Sequence, residues 1–421
     1  MQLLAAALKV RSEMAASETG SPTWPGSLSG SGSTVSVLVA VAIVVADMVG
    51  VGVFTSLGFQ VKDIPSGFSI LLLWTVGGVV ALCGVFSYGE LGAMFPRSSG
   101  EYNFLGRAYH PAFGFVAGWV SATVGFAAPV ALAAMAFGEY GKSLLPDAPP
   151  MALAIGVVWL VSLVQLTGVR HSSTFQLIAT ILKVVLIVAF LVAGFVIGTP
   201  QRSLPRALLA GTLIVLVLYV ALNAVFLYST PIGALAGQLD VASIAGSAIF
   251  GRIGGRVVGA MICVGLISSI SAMMWIGPRV MMTMGEDLPV LRAFARRSTG
   301  GAPAYAILFQ LTVASLMLFT RSFEAVLDFI QFALLFCSFF TVLGVIKLRI
   351  THPDLPRPYR AWGYPVTPVV FLLVTAFMMY YLLTERPVQS LMGMLVMFSG
   401  LLIYAVFRGR PAAAANPLQR E

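Results

Sequence analysis

Charge is what this sequence has least of. Asp, Glu, Lys and Arg make up 10% of its 421 residues, while 58% are hydrophobic; a soluble domain carries about 25% charged and about 45–50% apolar residues. That shortage excludes a soluble enzyme, a disordered tail protein and an ordinary nucleic-acid binder. Cysteine and histidine are scarce too, three of each. Cys83, Cys263 and Cys337 sit in apolar runs without CxxC spacing, which argues against a disulfide framework and a zinc site. His110, His171 and His352 fall in loops, so a histidine metal centre or catalytic triad has nothing to build on. HExxH, a P-loop and a strand-borne GxGxxG are missing. The expectation is no enzyme chemistry, no cofactor, no metal and no nucleic-acid partner. The net charge of +9 does not alter this, because the basic residues are spread over loops rather than clustered.

What the chain does have is long apolar runs, which point to a lipid bilayer as its solvent. Apolar windows fall at 35–60, 67–94, 112–140, 150–169, 173–198, 207–230, 254–284, 302–320, 323–348, 365–384 and 388–407. Each approaches the roughly 20 residues that span a membrane as a helix, and the period-2 alternation of a membrane barrel is not seen. The stretch 235–253, with Asp240, Ser243 and Ser247, is too polar to span and reads as a loop with a short interfacial helix. Residues 1–34, rich in Ser, Gly and Pro from 17 onward, read as a flexible cytoplasmic tail. The apolar run Leu3 to Leu8 is too short for a signal peptide, and Lys9 and Arg11 follow it rather than precede it.

Charge placement tests the topology, since cytoplasmic loops are enriched in Lys and Arg. With the N-terminus inside, Lys9, Arg11, Arg97, Arg107 and Arg170 are cytoplasmic through the first five spans, against Lys62 and Lys142 outside. The fifth span then ends outside. The last six spans also prefer to start inside, which makes Arg279, Arg292, Arg296, Arg297, Lys347, Arg349, Arg357, Arg360, Arg408, Arg410 and Arg420 cytoplasmic. Two halves that both start inside cannot be joined by five spans. The eight-residue linker Thr199 to Arg206 reaches at most about 26–29 Å. A bare strand cannot cross a hydrocarbon core of about 30 Å with its amides unsatisfied. One crossing is missing between 198 and 207, or one span elsewhere is miscounted.

Residues 46–58 read Ala-Asp-Met-Val-Gly-Val-Gly-Val-Phe-Thr-Ser-Leu-Gly. Gly50 and Gly52 are two apart, unlike a GxxxG packing pair. Two glycines this close favour local unwinding, and an unwound segment presents N–H groups to a carboxylate. On spacing alone, close helix packing accounts for them at least as well.

Other segments add to this one. Gly50-Val51-Gly52-Val53-Phe54 is followed by Trp74, Gly77-Gly78 and a run from Tyr88-Gly89-Glu90-Leu91-Gly92 through Phe95-Pro96-Arg97-Ser98-Ser99-Gly100-Glu101-Tyr102. Then come Gly114-Phe115, Gly118-Trp119, Ser268 to Val280, and Leu355-Pro356-Arg357-Pro358-Tyr359-Arg360. In this order they resemble the amino acid/polyamine/organocation permeases over about residues 35–407. The resemblance implies an all-α membrane protein of the inverted-repeat, leucine-transporter-type 5+5 fold. It would have about eleven helices here, one crossing short of twelve: a first repeat over 35–198, an incomplete second repeat over 199–348 lacking its first helix, two further helices over 365–407, and a cytoplasmic tail over 408–421. It also implies a substrate site at Gly50, Val51, Gly52 and Val53, where backbone N–H groups take an amino acid's carboxylate. Val51 stands where the family often has Ser or Thr. The family's sixth helix would lie between the fifth span and Pro205-Arg206-Ala207-Leu208, where the charge parity locates the lost crossing.

Charges within spans mark further candidates. Lys183 lies about 15 Å into its span and Asp47 about 18 Å into the first, a depth match that allows an ion pair. By resemblance Lys183 takes the place of sodium in sodium-coupled relatives, which implies proton coupling; a static Asp47–Lys183 pair is the alternative. Ser268, Ser269 and Ser271 either line an ion or substrate path or bind helices together. Glu90 reads as an interfacial charge near Arg97, and Glu324 and Asp328 as residues of the vestibule mouth. The expected protein is a proton-coupled amino acid permease of the plasma or inner membrane, working by alternating access in the lipid bilayer, with both termini cytoplasmic. The rival is a non-transporting remnant or membrane binding protein, since half of the binding site goes with the missing helix.

Overall fold

The structure is a computed structural model that describes residues 50, 52–64, 66–95, 99–167, 217, 219–298, 301–320 and 322–407. Asp47, Val51, Arg97, Lys183, the window 173–198 and the linker 199–206 lie outside the described residues. Within them the chain is helical, in twelve segments: α1 (Gly52–Asp63), α2 (Gly67–Met94), α3 (Glu101–Ala108), α4 (Pro111–Gly141), α5 (Pro150–Leu166), α6 (Tyr219–Ser229), α7 (Ile232–Leu235), α8 (Val241–Asp287), α9 (Ala304–Leu318), α10 (Phe323–Thr351), α11 (Val366–Glu385) and α12 (Pro387–Phe407).

The helix starts follow local chemistry. Ser66 and Ser322 cap α2 and α10, their hydroxyls accepting from Ser69 N at 3.3 Å and Ala325 N at 3.2 Å. Pro111 and Pro150 open α4 and α5, where a missing N–H costs nothing. Six helices are long and apolar enough to cross a membrane: α2, α4, α8, α10, α11 and α12. α5, α6 and α9 are shorter apolar helices. The protein is therefore a multi-pass membrane protein.

α4 is the central post. Its apolar window is 78% buried, against 17% for α12, which stands at the rim. Ala127, Ala128, Ala131, Ala133, Ala134 and Ala136 are each no more than 2% exposed. Lipid supplies no hydrophobic drive between helices, so close approach through small side chains holds them together. α5, α8 and α9 pack on this alanine face, and α10 and α12 on other sides of α4.

Within α8 the polar stretch holds a short helix over 241–250, as expected, and Gly251 at φ 75° and ψ 179°, a conformation that glycine alone adopts readily, turns the chain before the apolar helix that follows. The two parts pack on each other: a Cβ on Gly246 would lie 2.9 Å from Val258 and one on Gly255 2.8 Å from Ser243 O. The short helix α3, between the second and third spans, was hidden in the sequence as a polar connection.

Candidate substrate and polar sites

Of the break predicted in the first helix, the described residues show one side: Gly50 lies in a bend, and α1 begins at Gly52. Among the described residues a Cβ placed at Gly50 would meet nothing within 4 Å, and one at Gly52 only Ser56 Oγ at 3.8 Å. The far half of α1 is held firmly. Gly237 N donates to Gly58 O at 2.6 Å, and a Cβ on Gly58 would lie 2.0 Å from Gln238 O. Phe59 stacks on Phe323 of α10 at 5.4 Å, and Trp74 Nε1 of α2 donates to Gln60 Oε1 at 2.8 Å.

The serines on α8 are buried, Ser268 and Ser269 at 1% exposure and Ser271 at 0%. Ser271 is engaged: Gln165 Nε2 of α5 donates to its carbonyl at 3.2 Å and to its hydroxyl at 3.1 Å. Ser269 Oγ donates to Gly265 O at 3.4 Å within the helix. One turn on, Gln310 Nε2 of α9 donates to Met273 O at 3.2 Å. These contacts fasten α8 to α5 and α9. Among the described residues no hydrogen bond joins the serines to Gly50 or Gly52. Gln165 and Gln310 escaped the sequence reading, although each is a lone amide in an apolar window. A π-turn over Ser121–Gly125 in α4 gave no sequence signal; such turns recur at functional sites.

Glu90 requires a correction. It is not an exposed rim charge: its side chain is 1% exposed, and Arg349 of α10 clamps it with Nε at 2.9 Å and Nη2 at 2.5 Å. Ala361 N donates to Oε2 at 2.7 Å, and Arg357 Nε lies 3.5 Å from Oε1. Arg357 in turn donates to the carbonyls of Leu348 and His352 at the end of α10, at 3.1 and 2.8 Å. The Arg349 guanidinium stacks on Tyr364 at 3.8 Å. Nearby, Glu101 of α3 accepts from the Tyr88 hydroxyl and from Ser338 Oγ at 3.3 Å. Glu90 and Arg349 are far apart in sequence, so no local pattern disclosed the pair. As expected, Glu324 is exposed at the start of α10; Asp328 pairs with Arg386 at 3.3 Å.

Among the described residues no group of His, Cys, Asp and Glu is placed to hold a metal ion. Val53's side chain, like Asp47, Val51 and Lys183, lies outside what is described.

Comparison with known proteins adds a family match and three relatives. The sequence profile of a family described as amino acid permease matches residues 35–201 and 198–407, two stretches that meet at 198–201. The serine/threonine exchanger SteT of Bacillus subtilis (strain 168) is 22% identical over 432 aligned positions, covering 90% of this chain and 98% of the relative. The human b(0,+)-type amino acid transporter 1 is 23% identical, covering 87% of this chain and 86% of the relative. The human large neutral amino acids transporter small subunit 2 is 24% identical, covering 87% and 78%. The alignment with the exchanger is longer than this 421-residue chain although a tenth of the chain takes no part, so about fifty of its positions have no counterpart here.

Proposed function

This chain belongs to the amino acid permease family, and from that premise we propose that it moves amino acids across the plasma or inner membrane by alternating access around the Gly50–Gly52 break. It is a permease of this lineage and not an enzyme. The observation that supports this is the bend at Gly50 followed by the start of α1 at Gly52, where a Cβ would meet nothing closer than Ser56 Oγ at 3.8 Å among the described residues and the positive end of a helix is placed. A substrate carboxylate fits that chemistry. Val51 leaves the contact to the backbone, since it has no hydroxyl to add. Lys183, paired with Asp47, is the proposed proton-coupling group, supported by their matched depth in the sequence. Placing both termini in the cytoplasm rests on the family pattern, with its even number of crossings.

A second reading is favoured by the junction at 198–201. The two-stretch match and the unmatched positions in the alignments support the loss of one crossing between residues 198 and 207. That crossing would supply the facing half of the site, so this chain binds amino acids more readily than it transports them. Reconstitution into proteoliposomes with a radiolabelled amino acid mixture separates the cases. Uptake that falls when Lys183 is changed to Met, and that depends on pH, supports coupled transport. A substrate-induced rise in thermal midpoint without uptake supports the binding remnant. Neither uptake nor thermal shift with any amino acid rejects both.

A further inference from the structure

Near the end of α8 that leads to Arg292, Arg296 and Arg297, a second polar constellation stands apart from the Gly50–Gly52 break. The Arg279 guanidinium lies 3.3 Å from the centre of the Trp275 ring one turn earlier, and its Nη1 donates to Trp275 O at 2.6 Å. Among the described residues no carboxylate forms an ion pair with Arg279. A partly buried guanidinium held by one carbonyl and a ring retains unused donors. The indole N–H of Trp275 is buried without a hydrogen-bond partner among the described residues.

Between these groups lies a cavity of about 10 Å³, lined by Gln165, Trp275, Pro278, Arg279, Ala302 and Pro303 among others, and open on one side. That is room for one water-sized body, which is also the size of one oxygen atom of a larger group seated at the mouth. The Gln165 amide is spent on Ser271. The remaining polar side chains that line the cavity, Arg279 and Trp275, are donors only. Such a set selects an anionic oxygen.

Depth indicates which anion. From Arg252 to Asp287, α8 runs 36 residues beyond its glycine break, roughly 54 Å at 1.5 Å per residue. Centred on a hydrocarbon core of about 30 Å, it projects about 12 Å at each end, or about eight residues. Arg279 is eight residues from Asp287 and so falls at the hydrocarbon boundary, within reach of the phosphate layer. Arg292, Arg296 and Arg297 are exposed on the segment that follows. Arg297 makes only a 3.4 Å ion pair with Glu286. Basic pockets between spanning helices at this level take anionic lipid headgroups.

We propose that the cleft between α5, α8 and α9 binds the phosphate of an anionic phospholipid. One non-bridging oxygen enters the cavity against Arg279 and the Trp275 indole, and the rest of the headgroup lies toward Arg297. The lipid thereby bridges three helices and neutralises Arg279.

The test uses the full-length protein purified in a neutral detergent. Its thermal midpoint and tryptophan fluorescence are followed on adding dioleoylphosphatidylglycerol, dioleoylphosphatidylcholine or inorganic phosphate. Phosphatidylglycerol raises the midpoint and changes the Trp275 emission, and phosphatidylcholine does neither. Arg279→Gln weakens phosphatidylglycerol binding about tenfold or more, the loss expected for a charge-assisted hydrogen bond. Arg297→Gln, which leaves the Arg279–Trp275 stack in place, weakens it a few-fold and keeps the proposal testable if Arg279→Gln does not fold. Equal responses to the two lipids overturn the proposal, as does wild-type affinity in Arg297→Gln. The same response to millimolar inorganic phosphate alone overturns the lipid assignment in favour of a soluble anion.

Discussion

Two polar places in this membrane protein are built on opposite principles. At Gly50 and Gly52 a side-chain Cβ would meet, among the described residues, nothing closer than Ser56 Oγ at 3.8 Å. At Glu90 every approach is filled: two arginines and one backbone N–H enclose a carboxylate that is 1% exposed, with an aromatic ring behind Arg349. An unsatisfied polar group in a low-dielectric setting is costly, so the fold completes the carboxylate. The Glu90 clamp joins α2, α10 and the 355–361 segment, whereas the room beside Gly50 and Gly52 is what the proposed substrate site rests on.

The contrast breaks first at the clamp. Glu90→Ala leaves the partly buried Arg349 and the nearly buried Arg357 without their shared carboxylate and is expected to cost about 3–5 kcal/mol, read as a loss of unfolding free energy in mild detergent. Replacing both Glu90 and Arg349 by apolar residues costs less than the sum of the single changes; additivity in that double-mutant cycle would count against the clamp. Next, Gly58→Ala drives a methyl into the Gln238 carbonyl and is expected to destabilise by about 1–3 kcal/mol, measured in the same way. At the open break the signs differ. Gly50→Ala and Gly52→Ala change stability by less than about 1 kcal/mol, yet weaken amino acid binding, read as a smaller substrate-induced thermal shift. A stability loss as large as that of Gly58→Ala would show that the break is packed after all.

The smallest effect concerns Asp240, outside the spans at the start of α8. Burial pushes its carboxyl above the ordinary value, aided by Glu139 and opposed by Lys142 and a backbone hydrogen bond. A raised acid favours the protonated form in the folded protein, so its stabilising share is present at low pH and is lost as pH rises through the folded value. Asp240→Asn is therefore expected to raise the thermal midpoint at pH 7 and to leave it unchanged near pH 4. An equal shift at both values would point to packing rather than charge.

The spans were legible because lipid demands long apolar runs, and windows such as 67–94 and 323–348 sit close to α2 and α10. The glycine pair was legible as a departure, although its spacing alone did not separate unwinding from packing; the absence of atoms around Gly50 and Gly52 bears on that. Glu90 was misread, since its partner lies 259 residues away and its neighbour in sequence, Arg97, was the only visible candidate. Ser271 was legible as polar in a span, but only its contact with Gln165 gives it a fastening role. The π-turn in α4 and the break at Gly251 depend on φ and ψ values that composition does not encode.

By itself the sequence determined the solvent, the helical class and the lineage, because hydropathy and the order of short motifs are read along the chain. Tertiary structure alone decided which polar groups are spent and which are left open. Glu90 and Gly52 are both polar points in apolar surroundings, and the difference between them lies in what distant helices bring within hydrogen-bonding distance.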